Sequence, residues 1–275
     1  MTNFTTTGDF GGDFNVATET SWIGRGISNE AIIKGCSTLV YVIDAQEEDY
    51  EDALPKLVET ISTVYNLNPD AHFEVFLHKV DGDFMSEETK AERQQDIQHY
   101  VTSELSDTNS DVLVSYYLTS IYDHSALEAF SKVIQKLVPQ LPTLNNLLDM
   151  LISSCSLDKS YLVDVVTKLY IATDSNPVDA HSYELCSDLV DVVIDVSYIY
   201  GMSRDTGVFQ PYDDKSTSAI RLTSGMILYL REVNSYLALV CVLHDEAYSR
   251  RSQLDYNIDR FRDSLKRVLQ EAHEN

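Results

Sequence analysis

Residues 72–82 read His-Phe-Glu-Val-Phe-Leu-His-Lys-Val-Asp-Gly. An apolar run over 73–77 breaks into the polar quartet His78-Lys79-Val80-Asp81. The run predicts a buried strand, so Lys79 and Asp81 fall just beyond its carboxyl end, where open α/β sheets bind ligands. A carboxylate at Asp81 can accept two hydrogen bonds from the N1 and N2 edge of guanine, each worth about 1.5–3 kcal/mol when charge-assisted. The Lys79 stem can lie flat over the base. One strand–helix unit later comes Tyr117-Leu118-Thr119-Ser120-Ile121. A turn there offers a backbone N–H to guanine O6. The competing reading of both segments is a coincidental polar cluster at strand ends.

The phosphate side of a nucleotide site is not legible in the same way. No G-x-x-x-x-G-K-[ST] occurs in the sequence, so no segment supplies that backbone cradle, its phosphate Lys or its Mg2+ hydroxyl. Gly8-Asp9-Phe10-Gly11-Gly12 has the outline of a D-x-x-G element that contacts Mg2+ and a γ-phosphate, but it reads first as a Gly/Thr-rich tail. Gly24-Arg25-Gly26 reads as loop, and His124 as a helix-entry residue rather than a base. Six of the nine residues 44–52 are Asp or Glu. That run reads as a solvated loop and helix start rather than a metal site, because acidic side chains suit a helix N-terminus. No Ser/His/Asp or Cys/His set stands at a recognisable spacing.

The elements that must position the quartet follow from periodicity. The β-branched run 38–43 predicts a strand buried on both faces, as in a parallel sheet. Over 49–65, Ala53, Leu54, Leu57, Ile61 and Val64 fall at helical spacing. Pro69 then interrupts the chain ahead of the 73–77 strand. Ser86 caps a polar helix running to about Leu105, residues 112–118 form the next strand, and 123–138 a helix. Strands alternating with helices in this way predict a doubly wound α/β sheet. After Pro139-Gln140-Leu141-Pro142 the pattern changes. Helices are expected at 143–153 and 181–199, strands at 161–166, 168–173, 219–223, 226–231 and 236–243, and a final helix carries Leu254, Ile258, Phe261, Leu265 and Val268. This half is α+β, and its sheet edges and apolar helix faces suit dimerisation.

Composition narrows the function classes. The chain has 275 residues, 44% hydrophobic and 23% charged, ample for two cored domains. Its net charge of −24 argues against binding nucleic acid or anionic lipid directly. No apolar run reaches the roughly 20 residues that span a bilayer, and residues 1–12 lack the pattern of a secretory signal. Cys36, Cys155, Cys186 and Cys241 include no CxxC pair and read as reduced core residues of a cytosolic protein.

From about residue 29 onward, roughly nine-tenths of the chain resembles the Rag GTPases (the Gtr/Rag family), C/D type. The segments that carry the resemblance are 39–46, 73–82, 117–125, 135–144, 170–175 and 192–196, and His in the first position of His78-Lys79-Val80-Asp81 is itself a trait of the C/D type. The resemblance implies a truncated Ras-like doubly wound sheet over 28–139, then an α+β roadblock-type dimerisation domain over 143–275. It implies guanine binding by His78, Lys79, Asp81, Ser120 and Ile121, with GTP or GDP as ligand and Mg2+ as its companion. It implies pairing with a Rag A/B-type GTPase through the roadblock halves, docking on the Ragulator scaffold, and signalling of amino-acid sufficiency to TOR complex 1. The expected location is the cytoplasm, the lysosomal surface through partners alone, and the nucleus. The chain departs from the family pattern in its N-terminal part. If residues 9–12 match the second-switch motif, Asp13 stands where a Gln is expected and the spacing to Asp44 is too long. Residues 1–27 then read as a disordered or atypical segment, without the P-loop region. GTP hydrolysis, which the family performs, is left open by these departures. The alternative is a nucleotide-independent scaffold or a dominant-negative isoform.

Overall fold

The computed structural model describes residues 29–47, 53–81, 85–107, 112–200, 212 and 216–274. Two compact units form, one ending at Ala129 and the other beginning at Phe130. The first contains α1 (Asn29–Lys34), β1 (Thr38–Asp44), α2 (Ala53–Leu67), β2 (His72–His78), α3 (Glu87–Asp107), β3 (Val114–Thr119) and the start of α4 (Ser125–Lys136). The second contains the rest of α4, α5 (Leu141–Cys155), β4 (Lys159–Asp164), β5 (Tyr170–Thr173), α6 (Ala180–Tyr200), β6 (Thr217–Arg221), β7 (Met226–Glu232), β8 (Leu237–His244), α7 (Asp245–Ser249) and α8 (Arg251–Glu274).

In the first unit β1, β2 and β3 lie side by side and parallel, with β2 central. β2 is buried on both faces from Phe73 to Leu77, which explains its unbroken apolar sequence. Phe73, Val75 and Leu77 point to one face and pack with Leu57, Ile61 and Val64 of α2 and Ile97, Val101 and Leu105 of α3. Each such side chain withdrawn from water contributes about 1.5–3 kcal/mol. Both helices show the spacing that puts one apolar stripe on the sheet. α3 starts where expected: the Ser86 hydroxyl accepts the Thr89 N–H at 3.1 Å, and Glu87 and Glu88 occupy the first turn.

The second unit is a five-stranded antiparallel sheet in the order β5-β4-β8-β7-β6. Leu144, Leu148 and Leu151 of α5 and Leu254, Ile258, Phe261 and Leu265 of α8 form one core with Leu162, Tyr229, Leu239, Cys241 and Leu243. Alternation sends Tyr161 and Val163 to the opposite face. There Tyr183 of α6 packs against Tyr161 and Tyr170, with ring centroids 6.0 and 5.0 Å away. Gly225 at φ +87° closes the β6–β7 hairpin, a backbone conformation that favours glycine. Lys159 and Asp174 form a buried ion pair at 3.2 Å, with side chains 8% and 0% exposed. Asp174 also accepts the Ser160 N–H at 2.8 Å and the Asn176 N–H at 2.9 Å.

The expected α/β unit followed by an α+β unit is found, with local differences. β4 and β5 sit about two residues from the expected spans. Asp164 Oδ1 accepts the N–H groups of Val166 and Thr167 at 3.1 and 2.7 Å, a side-chain turn that ends β4 early. Pro142 is not linker; it lies in the first turn of α5, where its missing N–H is harmless. The units divide inside α4 because its second half is tied to β5 of the second unit: Ser131 Oγ accepts the Tyr170 N–H at 3.0 Å. Residues 48–52, in the expected start of α2 and in the acidic run, lie outside the described residues. The four cysteines are free thiols, three of them buried, and burial pushes the Cys186 thiol up to about 12. Among the described residues no helix is long and apolar enough to cross a membrane.

Candidate functional site

The parallel strands bring their carboxyl ends level. Asp44 aligns with His78, and His78 with Thr119, so the last residues of β1, β2 and β3 make one polar row. Residues 45–47, 79–81 and 120–124 leave the sheet along this edge, the ligand-binding edge of open α/β sheets.

Asp81 and Ser120 meet there. Ser120 is fully buried and donates its hydroxyl to Asp81 Oδ1 at 2.8 Å. The Ser120 oxygen accepts the Tyr122 N–H at 3.0 Å, which ties the turn after β3 to the end of the quartet. Asp81 Oδ2 makes no bond among the described residues. The Ser120 N–H is taken by Ser125 Oγ at 2.7 Å, and Asp123 Oδ1 accepts the Ser125 N–H at 3.1 Å. The Ile121 N–H has no partner among the described residues, and Ile121 is 71% exposed. Ile121 therefore has the backbone donor available to a ligand, while Ser120 acts through its side chain.

His78 and Lys79 are held separately. The Thr119 hydroxyl donates to Leu77 O at 3.3 Å, so at 3.1 Å from His78 Nδ1 it must accept, which assigns the Nδ1–H tautomer to His78. Lys79 adopts φ +64°, a left-handed corner that leaves Val80 buried while Lys79 stays exposed. Such backbone strain in a non-glycine residue clusters at binding sites. The corner is braced by Gln46 Nε2, which donates to Lys79 O at 3.2 Å. The Lys79 ammonium pairs with Asp44, whose Oδ1 accepts the Gln46 N–H at 2.9 Å. Arg93 of α3 secures the same turn through Ala45 O and, at 3.1 Å, Glu47 O. Burial pushes the Asp44 carboxyl up, but its bonds from Lys79 and Gln46 prevail and hold it below the usual carboxylate range. The bond to Asp44 raises Lys79 in turn. With side chains 54% and 26% exposed, this pair adds about 0–1 kcal/mol at most, so its consequence is to fix the ammonium's position.

Asp44, Gln46, Thr119 and Ser125 are site residues that the sequence reading does not single out. A signal for Asp44 and Thr119 exists, since all three predicted parallel strands end in a polar residue. A free carboxylate oxygen, a free backbone N–H and an exposed lysine stem fit the edge and face of guanine. Adenine presents no N1–H to Asp81 and an amino group to the Ile121 N–H, so the same groups reject it. The described residues include no group of three His, Cys, Asp or Glu that could hold a metal. The Gly-rich segments 8–12 and 24–26 and Asp13 lie outside the described residues.

The family profile for the Gtr1/RagA G protein conserved region matches residues 5–190. The Ras-related GTP-binding protein C of Mus musculus is 52% identical over 242 residues, covering 88% of this chain and 60% of that protein. GTP-binding protein gtr2 of Schizosaccharomyces pombe is 45% identical over 243 residues, covering 87% and 76%. GTP-binding protein GTR2 of Saccharomyces cerevisiae is 40% identical over 257 residues, covering 89% and 74%. Among solved structures, Myxococcus xanthus MglB shares 14% identity at a TM-score of 0.38 over 49% of this chain and 92% of its own. A Roadblock/LC7 domain from Streptomyces avermitilis shares 18% at 0.34 over 45% and 98%. These structural likenesses are weak, and the assignment rests on the sequence relatives. Fold, strand-end site and relatives together define a G protein of the Rag class. Within that class the chain belongs to the Gtr1/RagA family, on its Rag C/D and Gtr2 branch. It spans 60% of the length of the mouse and human relatives it matches.

Proposed function

We propose that this chain is the C/D-type subunit of a Rag heterodimer, reading guanine nucleotide with its first unit and pairing with a Rag A/B-type G protein through its second. The observation that carries the nucleotide half is the Ser120–Asp81 bond at 2.8 Å, which presents the second Asp81 oxygen beside the Ile121 N–H. When bound, GTP or GDP supplies the switchable phosphate chemistry. His78, Lys79, Asp81 and Ile121 hold and select its base, and Ser120 positions Asp81. Pairing is supported by the exposed apolar side chains of α6 and by β6, an unpaired edge of its sheet.

In this reading the pair signals amino-acid sufficiency to TOR complex 1, and the Ragulator scaffold brings it from the cytoplasm to the lysosomal surface. The net charge of −24 supports membrane attachment through partners rather than directly on anionic lipid. The experiment is co-purification of the full chain with an A/B-type Rag, alongside titration of fluorescent GDP. The expected result is a stable pair whose nucleotide binding is lost in Asp81→Ala. Failure to pair contradicts the subunit assignment. Pairing without detectable GDP binding makes the chain a nucleotide-independent scaffold instead.

A further inference from the structure

α6 leaves one face uncovered. Val192, Val196 and Ile199 are 45%, 47% and 69% exposed and recur at i, i+4 and i+7, which makes them a single seam. The helix buries Cys186, Leu189, Val190 and Val193 instead. A groove of about 140 Å³ runs beside the seam, between Val192, Val193 and Val196 of α6 and Ser216, Thr217 and Ser218 at β6. β6 ends the sheet, so seam, groove and open strand edge are continuous.

The charge beside the seam has one sign. The 21 residues of α6 include Glu184, Asp188, Asp191 and Asp195 and no Lys or Arg. Asp195 is exposed, three residues after Val192 and four before Ile199, on the seam itself. Asp191 pairs with Lys168 at 2.7 Å.

We propose that this seam selects its partner by charge: it accepts a helix whose apolar stripe is flanked by Lys or Arg, and it rejects a second copy of this chain. The proposal rests on the pairing reading above and adds to it a rule for partner choice. In a two-fold pair both copies use the same patch. The acidic side of one seam would then face the acidic side of the other, and like charges across an interface suppress pairing. A Lys- or Arg-flanked helix turns the same carboxylates attractive and speeds association at low salt. The seam thus combines an apolar surface that would pair with many helices and a charge pattern that excludes its own copy.

The test compares the full chain with its Asp195→Lys and Val196→Asp variants. Binding to an A/B-type Rag is followed by surface plasmon resonance at low and high salt, and self-association by sedimentation. The wild type is expected to stay monomeric alone. Asp195→Lys should weaken binding to the A/B-type Rag by about tenfold, mainly through the on-rate, and flatten its salt dependence. An equimolar mixture of wild type and Asp195→Lys should form a one-to-one pair. If Val196→Asp abolishes binding while Asp195→Lys changes neither affinity nor salt dependence, pairing stands and the charge rule is overturned. If the wild type ignores the A/B-type Rag but pairs with Asp195→Lys, the subunit assignment falls and the charge rule stands. A stable wild-type homodimer, or a mixture that stays monomeric with no binding to the A/B-type Rag, overturns the rule outright.

Discussion

The Ser120 hydroxyl donates to Asp81 Oδ1 at 2.8 Å across 39 positions of sequence. This bond joins the segment after β2 to the turn after β3. It leaves one carboxylate oxygen and the Ile121 N–H as the groups that can read a base. A lone Asp beyond a strand could point anywhere; the buried serine limits where this one points.

Ser120→Ala removes that hydroxyl and leaves the Tyr122 N–H without its acceptor. A neutral hydrogen bond is worth about 0.5–1.5 kcal/mol, so guanine nucleotide affinity should fall by about two- to tenfold. Isothermal titration with GDP measures this, and an unchanged affinity would mean that Asp81 needs no support.

Asp44→Asn tests the brace on Lys79. The folded-state pKa of Asp44 is depressed, so its contribution is present above the unfolded value, about 3.9, and is lost as pH falls through the folded value. The stability difference between wild type and Asp44→Asn, measured by urea unfolding, should persist at pH 7 and vanish as pH falls below about 4. A difference that grows on acidification would contradict the assigned ion pair.

Asp174→Ala leaves the buried Lys159 ammonium uncompensated. Breaking a buried pair from one side costs about 3–5 kcal/mol, whereas replacing both partners by apolar residues is often near neutral. Denaturant unfolding should therefore show Asp174→Ala far less stable than Lys159→Met/Asp174→Leu. Equal losses would mean that the backbone bonds of Asp174 matter more than its charge.

The fold is legible where periodicity is local. All eight strands stand within about two residues of expectation, because β-branched runs such as 38–43 declare themselves. α1 and α7, of six and five residues, are too short for a helical repeat to register. β4 ends early for a reason only the folded chain shows, the capture of two backbone N–H groups by Asp164. In the site, His78, Lys79 and Asp81 are readable from one contiguous motif. Asp44 is not, because in sequence it opens an acidic run, and only the register of β1 against β2 sets it beside His78. Ser120 and Ile121 are both expected at the base. The distinction between them, one using its side chain and the other a free N–H, depends on Ser125 reaching back five residues.

Base discrimination tests the central claim most directly. The affinities of GDP and xanthosine diphosphate are measured for wild type and for Asp81→Asn. Guanine offers two N–H donors to a carboxylate, whereas xanthine replaces one with a carbonyl that an amide can serve. The account predicts that the wild type prefers GDP and that Asp81→Asn reverses the preference, by about tenfold or more in each direction. An Asp81→Asn chain that binds GDP as the wild type does would contradict it.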